Sequence, residues 1–253
     1  MSSPLPIRLP KSSGSWSLTW VCGSGFDIGC RRPFWSLGFE HQRVPQRILS
    51  GAFVAGVMIL GMSGLAAIPG AILAPGQLRG EGLAAVGTAL LLLLATGVQS
   101  SAEEALFRGW LLPVMGSRYG PWIGILVSSS VFALAHAFSA PSALGLLNLF
   151  LFGTFGATRA LTEGGLWGAS AWHTVWNWME GGLLGMAVDR SAHAGLLVSI
   201  RTTGPGLITG GAFGPEGGLA ATAVLLIGIG TILTRKPTGR PALPPRAPQV
   251  SRY

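Results

Sequence analysis

The stretch LAAVGTALLLLLATGVQSSAEEALFRGWLLPVM, Leu83 to Met115, decides how the whole chain is read. Its first part, from Val86 to Val98, is a long apolar run without a charge, and Ala220 to Ile232 is another. Runs of this kind mark lipid as the solvent. The second part sets Glu103, Glu104 and Arg108 within the same apolar helix. Ionisable groups in hydrocarbon are costly, so a membrane helix that keeps three of them keeps them for a reason.

Working outward, the composition agrees. Of the 253 residues 49% are hydrophobic and 10% charged, and the mean hydropathy is +0.53. A soluble chain of this length needs far more polar surface. The 39 glycines suit membrane helices, whose backbones approach closely through small residues. The expected fold is all-α, a polytopic transmembrane helical bundle of about six spans with its site between helices. The spans are drawn at Ile48 to Leu73, Leu83 to Met115, Trp122 to Phe138, Leu144 to Leu161, Leu166 to Val188 and Leu219 to Leu233. Turn residues at Pro75-Gly76, Gly120-Pro121, Pro141 and Gly164-Gly165 separate most of them. Residues 189–218, rich in Gly, Thr and Pro, read as the longest external loop. Residues 1–34 read as a cytoplasmic arm, 35–234 as the membrane domain and 235–253 as a disordered basic tail. Cys22 and Cys30 lie in the arm with no metal-site spacing.

The net charge of +8 does not point to nucleic acid, because of where the charge sits. Arg8, Lys11, Arg31, Arg32, Arg43 and Arg47 precede the first span, and Arg235, Lys236, Arg240, Arg246 and Arg252 follow the last. Arg118 and Arg159 fall in turns on the same side, leaving Arg79, Arg190 and Arg201 outside. This is the positive-inside pattern, with both termini cytoplasmic, as expected of a multi-pass protein in a bacterial cytoplasmic membrane. No internal repeat is visible, which counts against a transporter built from inverted halves.

Four features stand out among the polar residues in the spans. Glu104 and Arg108 have ion-pair spacing on a helix. Glu103 points about 100° away from Glu104, so it is the carboxylate left to exchange protons. Phe132 and His136 lie one turn apart, and a lone histidine on an apolar face is by itself more often packing than chemistry. His173 and Asn177, also one turn apart, suit either an oxyanion clamp or ordinary interhelical hydrogen bonding. Glu180, on about the same face, either hydrogen-bonds or lines the entry. Glu103 and His136 both stand about 25 Å from the turn near Gly120, whereas His173 stands only about 12 Å from the Gly164-Gly165 turn. The levels match if the hairpin protrudes by about two turns, with Arg108 to Arg118 as the protruding part.

In order, these pieces are Glu103-Glu104-Ala-Leu-Phe-Arg108, Phe132-Ala-Leu-Ala-His136 and His173-Thr-Val-Trp-Asn177. Together they resemble the EExxxR, FxxxH and HxxxN motifs of the CAAX-protease and bacteriocin-processing (CPBP) family of intramembrane proteases, which includes the type II CAAX prenyl endopeptidases. The resemblance runs from about Trp35 to Leu233. It implies an endopeptidase acting on a membrane-associated or lipidated protein or peptide at the bilayer, with no nucleic acid partner. It implies Glu103 as catalytic carboxylate, His136 helping to activate water, and His173 and Asn177 facing the oxyanion, with Glu104 and Arg108 shaping the site. Zinc held by Glu103, His136 and His173 is the alternative to metal-free water activation, which is the favoured scheme. A non-catalytic partner-binding or self-immunity protein on the same fold is the alternative function.

Overall fold

The structure, a computed structural model, describes residues 37–40, 43–75, 82–138, 142–186 and 196–234. The expected basic tail and the whole of the N-terminal arm lie outside the described residues, as does Pro141.

The first helix, α1 (Val44–Ala66), ends at a turn through Ala67, Ile68 and Pro69. The chain then enters a strand, β1 (Ala71–Pro75), where a span to Leu73 was expected. Pro69 cannot continue the hydrogen-bond ladder and Gly70 takes φ +144°, which together stop the helix short. The decisive stretch forms one continuous rod, α2 (Gly82–Glu104), a π-helical segment (Ala105–Leu111) and α3 (Leu112–Tyr119). After Gly120 the chain doubles back into α4 (Pro121–Ala135). Next come α5 (Ala143–Glu163) and α6 (Trp167–Asn177), which runs on into a second π-helical segment (Trp178–Leu183). Gly164 closes α5 in the left-handed region, φ +64°, where a side chain would be strained.

Residues 196–218 are more ordered than an external loop. They hold β2 (Val198–Thr202), the single-turn α7 (Gly206–Thr209) and two 3-10 turns (Gly211–Phe213 and Pro215–Gly217). β2 pairs antiparallel with β1, Leu73 opposite Ile200. The final helix is α8 (Leu219–Leu233). Phe213 is fully buried, so this segment dips into the bundle. Buried Asn148 of α5 explains how it stays there. Its amide donates to the carbonyls of Glu216 and Gly218 and accepts from the Thr222 hydroxyl.

Close approaches give the directions of the helices. Along α2, Ala89 meets Trp178 and Gly97 meets Thr174, so α2 and α6 are antiparallel. α1 parallels α6, with Gly51 against Gly168 and Ser63 beside Met186. α4 packs back along α3 through Gly124 and Gly116, and Gly153 of α5 sits against Ser129 of α4. The helices alternate in direction, so the start of α1 and the end of α8 share one end of the bundle.

Three helical stretches, Val44–Ala66, Val86–Tyr119 and Ala143–Glu163, are long and apolar enough to cross a membrane. Pro121–Ala135 and Leu219–Leu233 are apolar but shorter. The chain is therefore an all-α helical membrane protein, with long and shorter apolar helices as the drawn spans also had. Its interior is aromatic: Phe132, Phe152, Phe155, Trp172 and Trp176 form the centre of the core. Leu91, Leu94 and Val98 point outward, as lipid-facing residues do.

Two expectations about arginines change. Arg159 is a buried residue of α5, not part of a turn, and it pairs with Glu163 at 2.7 Å. Arg108 is also buried, so it is not in the protruding part of the hairpin. Gly109 contacts Leu166 and Leu37, and only the residues beyond it, about three turns of helix, extend past that level.

Candidate active site

The three motifs meet where α2, α4 and α6 converge. Glu103 and Glu104 end α2, and the rotation between adjacent helical residues sends them into different surroundings.

Glu104 is fully buried. Its Oε1 takes a hydrogen bond from Arg108 at 3.0 Å and lies 2.9 Å from His173 Nδ1. Arg108 donates its other terminal nitrogen to the carbonyl of Gly153 at 3.2 Å. Gly156 leaves room beside it, since a Cβ there would stand a tight 3.3 Å from the guanidinium. The Phe132 ring lies 4.6 Å from the guanidinium carbon, a cation–π distance. One phenylalanine thus ties the first motif to the second.

His136 follows the last turn of α4. The expected helix to Phe138 stops at Ala135, and His136 takes φ −101°, ψ 6°, the sparsely populated region between helix and strand. Its Nδ1 lies 2.9 Å from the Phe132 carbonyl, and its ring lies 4.6 Å from the Phe132 ring. A carbonyl only accepts, so His136 carries a proton on Nδ1 and, as a neutral ring, turns an acceptor Nε2 towards the site. His173 is held in the same sense, with Nδ1–H facing the Glu104 carboxylate. It is 3% exposed, and the Phe152 ring meets it at 4.8 Å nearly perpendicular.

Both Nε2 atoms lie 3.9 Å from Glu103 Oε2. Glu103 and His136 are 22% and 26% exposed, so this side of the site is open. Oε2 is itself buried, and among the described residues no hydrogen bond reaches it. Three acceptors thus converge at a separation too long for direct hydrogen bonds. A water about 2.8 Å from each atom of either pair fits that gap.

The same atoms do not fit zinc. The donor types suit it, but ligands about 2.0–2.1 Å from a tetrahedral zinc stand only about 3.4 Å apart, so 3.9 Å is too wide. Among the described residues no group of three or more His, Cys, Asp and Glu side chains is set to hold a metal ion.

Asn177 ends α6, one turn beyond His173 and on its face. Among the described residues no hydrogen bond claims its amide. Glu180, in the π-helical segment that follows, is fully buried and does not line an entry. Sequence reasoning missed the contribution of α5. Asn148 anchors the inward-dipping segment, Phe152 walls His173, Gly153 accepts from Arg108 and Gly156 makes room for it. The signal was a polar residue and two glycines on one face of an apolar helix. It also missed Glu216, whose carboxylate accepts from the Trp176 indole at 2.6 Å, one turn from the site.

The site is thus a partly buried carboxylate-histidine cluster between apolar helices. Residues 85–179 match the family described as type II CAAX prenyl endopeptidase Rce1-like, and this stretch includes all three motifs. This match is to the grouping that the motifs resemble, and with its long apolar helices the chain is an integral membrane protein. Comparison with curated proteins and with solved structures gave no significant match.

Proposed function

We propose that the chain is an intramembrane endopeptidase that hydrolyses a peptide bond of a membrane-associated or lipidated protein with water activated by Glu103. The observation that carries this reading is the buried, unpartnered Oε2 of Glu103, facing two imidazole nitrogens whose own protons are committed elsewhere. A water there donates one proton to Oε2, while a bare Nε2 accepts the other and fixes its orientation. The water oxygen attacks the scissile carbonyl carbon, and the proton passes to Oε2 as general base. Asn177 donates to the oxyanion. His173, its ring oriented by the Glu104 carboxylate, holds the water beside Oε2 through Nε2 and faces the scissile carbonyl. Glu103 returns its proton to the leaving amine. The arrangement needs no metal ion, and none of these steps passes through one.

The substrate class begins from the family, so a farnesylated CAAX peptide carrying a fluorophore and a quencher is the first probe, beside unlipidated controls. Purified protein in proteoliposomes should cleave it, and in ¹⁸O-labelled water the new carboxylate should gain one label. Glu103→Gln should remove cleavage while leaving expression and thermal midpoint unchanged. Cleavage at the wild-type rate by both Glu103→Gln and His136→Ala would discard this site. Partner capture without any cleavage would favour the binding protein instead.

The same reading places both termini in the cytoplasm, supported by the charge bias and by the shared end of α1 and α8. In a background lacking Cys22 and Cys30, an impermeant reagent added outside should label Thr203→Cys and not Thr238→Cys. The opposite pattern would invert the topology.

A further inference from the structure

The carboxylate of Glu103 is held from a side that no motif names. One turn earlier on α2, the side-chain nitrogen of Gln99 lies 3.0 Å from Glu103 Oε1. A carboxylate only accepts, so the amide must turn its N–H towards it. Gln99 directly follows the apolar run from Leu90 to Val98 and is itself exposed. An amide on that surface is costly unless it is paired, and low polarity around it strengthens the bond it makes. The two oxygens of Glu103 are thereby unequal. Oε1 has a donor, and Oε2 faces the imidazoles with none.

We propose that Gln99 is a positioning residue that occupies Oε1 and so makes Oε2 the oxygen that takes the proton from water. This rests on the reading of Glu103 as the base. An O–H bond of water breaks and its proton goes to Oε2. The water oxygen bonds to the carbonyl carbon, and the C=O π pair moves to the oxyanion. When the tetrahedral species collapses, the C–N bond breaks and the Oε2 proton passes to the departing nitrogen. Without Gln99 the carboxylate rotates freely, and the charge-bearing oxygen spends part of its time away from the water.

The test compares wild type, Gln99→Leu, Gln99→Glu and Glu103→Gln in proteoliposomes with the farnesylated CAAX peptide. Losing one charge-assisted hydrogen bond should lower kcat about 10- to 100-fold in Gln99→Leu, with KM within about twofold of wild type. Gln99→Glu, which sets a second carboxylate against Oε1, should lose at least as much. A purely structural role would lower the thermal midpoint and leave the kcat of the remaining folded protein intact. The infrared antisymmetric carboxylate stretch of Glu103, isolated by subtracting the Glu103→Gln spectrum, supplies a readout that needs no turnover. It should shift when Gln99 becomes Leu or Glu, so failure of one variant to fold leaves the other. An unshifted band, or wild-type kcat in both variants, overturns the proposal. If Glu103→Gln cleaves normally while the band does shift, the hydrogen bond stands and the assignment of Glu103 as base falls instead.

Discussion

Glu103 and Glu104 are neighbours in the chain, yet they lie in two regions of opposite character. Around Glu104 the protein is dry and closed: the side chain is fully buried, Arg108 and His173 share its Oε1, and Gly153, Gly156 and Phe132 surround the arginine. Around Glu103 it is open and underfilled. The side chain is 22% exposed, Gln99 holds one oxygen, and the other meets two imidazoles at 3.9 Å. A buried ion pair makes the Glu104 carboxylate structural, because any change in its charge leaves Arg108 buried and alone. Among the described residues Oε2 of each glutamate is buried without a hydrogen bond, but only that of Glu103 faces two imidazoles on an open side, where a reactant has room.

The sharpest way to break this contrast is to neutralise each glutamate without changing its shape. Glu103→Gln should lower turnover on the order of 10²- to 10⁴-fold with an unchanged thermal midpoint, as expected for loss of a general base. Equal loss of folded protein from this variant would erase the distinction. On the closed side, Arg108→Ala should instead destabilise by about 3–5 kcal/mol, because it strands the Glu104 carboxylate. Denaturant unfolding in detergent measures this, and a wild-type midpoint would show that the pair is not structural. Asn177→Ala belongs to the open side and should cost about 10²- to 10³-fold in kcat with little effect on stability. A larger change in KM than in kcat would mean that it binds the ground state. Asn148→Leu, remote from the reacting atoms, should destabilise by about 1–3 kcal/mol, since it removes the amide donors to the Glu216 and Gly218 carbonyls. Limited proteolysis within residues 204–218 should rise in parallel.

The smallest expected effect is that of metal removal. Activity should survive exhaustive chelation, and elemental analysis of wild type and His173→Ala should find no stoichiometric zinc in either. One equivalent of zinc, lost together with activity and restored with it, would replace the water-only scheme.

The sequence carried the membrane class plainly, because apolar runs such as Val86 to Val98 have few alternatives to lipid. It also carried the Glu104–Arg108 pair, since spacing on a helix determines that contact. His136 was placed near the right partners, but its departure from the helix was not legible. That geometry depends on where α4 ends, and Phe138 looks as helical in sequence as Leu134. The order within residues 196–218 was hidden for a different reason. Glycines and prolines there read as loop, and only the distant amide of Asn148 holds the segment inside. Arg159 read as a turn residue because it lies near Gly164, and the partner that keeps it buried, Glu163, lies next to that turn. Gln99 and Phe152 act through contacts that no motif records, at positions where glutamine and phenylalanine are unremarkable.

The two π-helical stretches, Ala105–Leu111 and Trp178–Leu183, directly follow the residues that define the site. Within the first, the amide of Leu112 reaches back five residues to Phe107. A π bulge is equivalent to one surplus residue in an α-helix. A helical wheel drawn straight through this rod therefore assigns the wrong face to everything beyond it, by about 100°. Deleting a single residue between Ala105 and Leu111 would let the rod relax to an unbroken α-helix. It would swing the α3–α4 hairpin around the rod axis by the same angle and carry His136 away from Glu103, although no site residue had been altered. Length between landmarks is therefore as much a part of this site as the identity of its side chains.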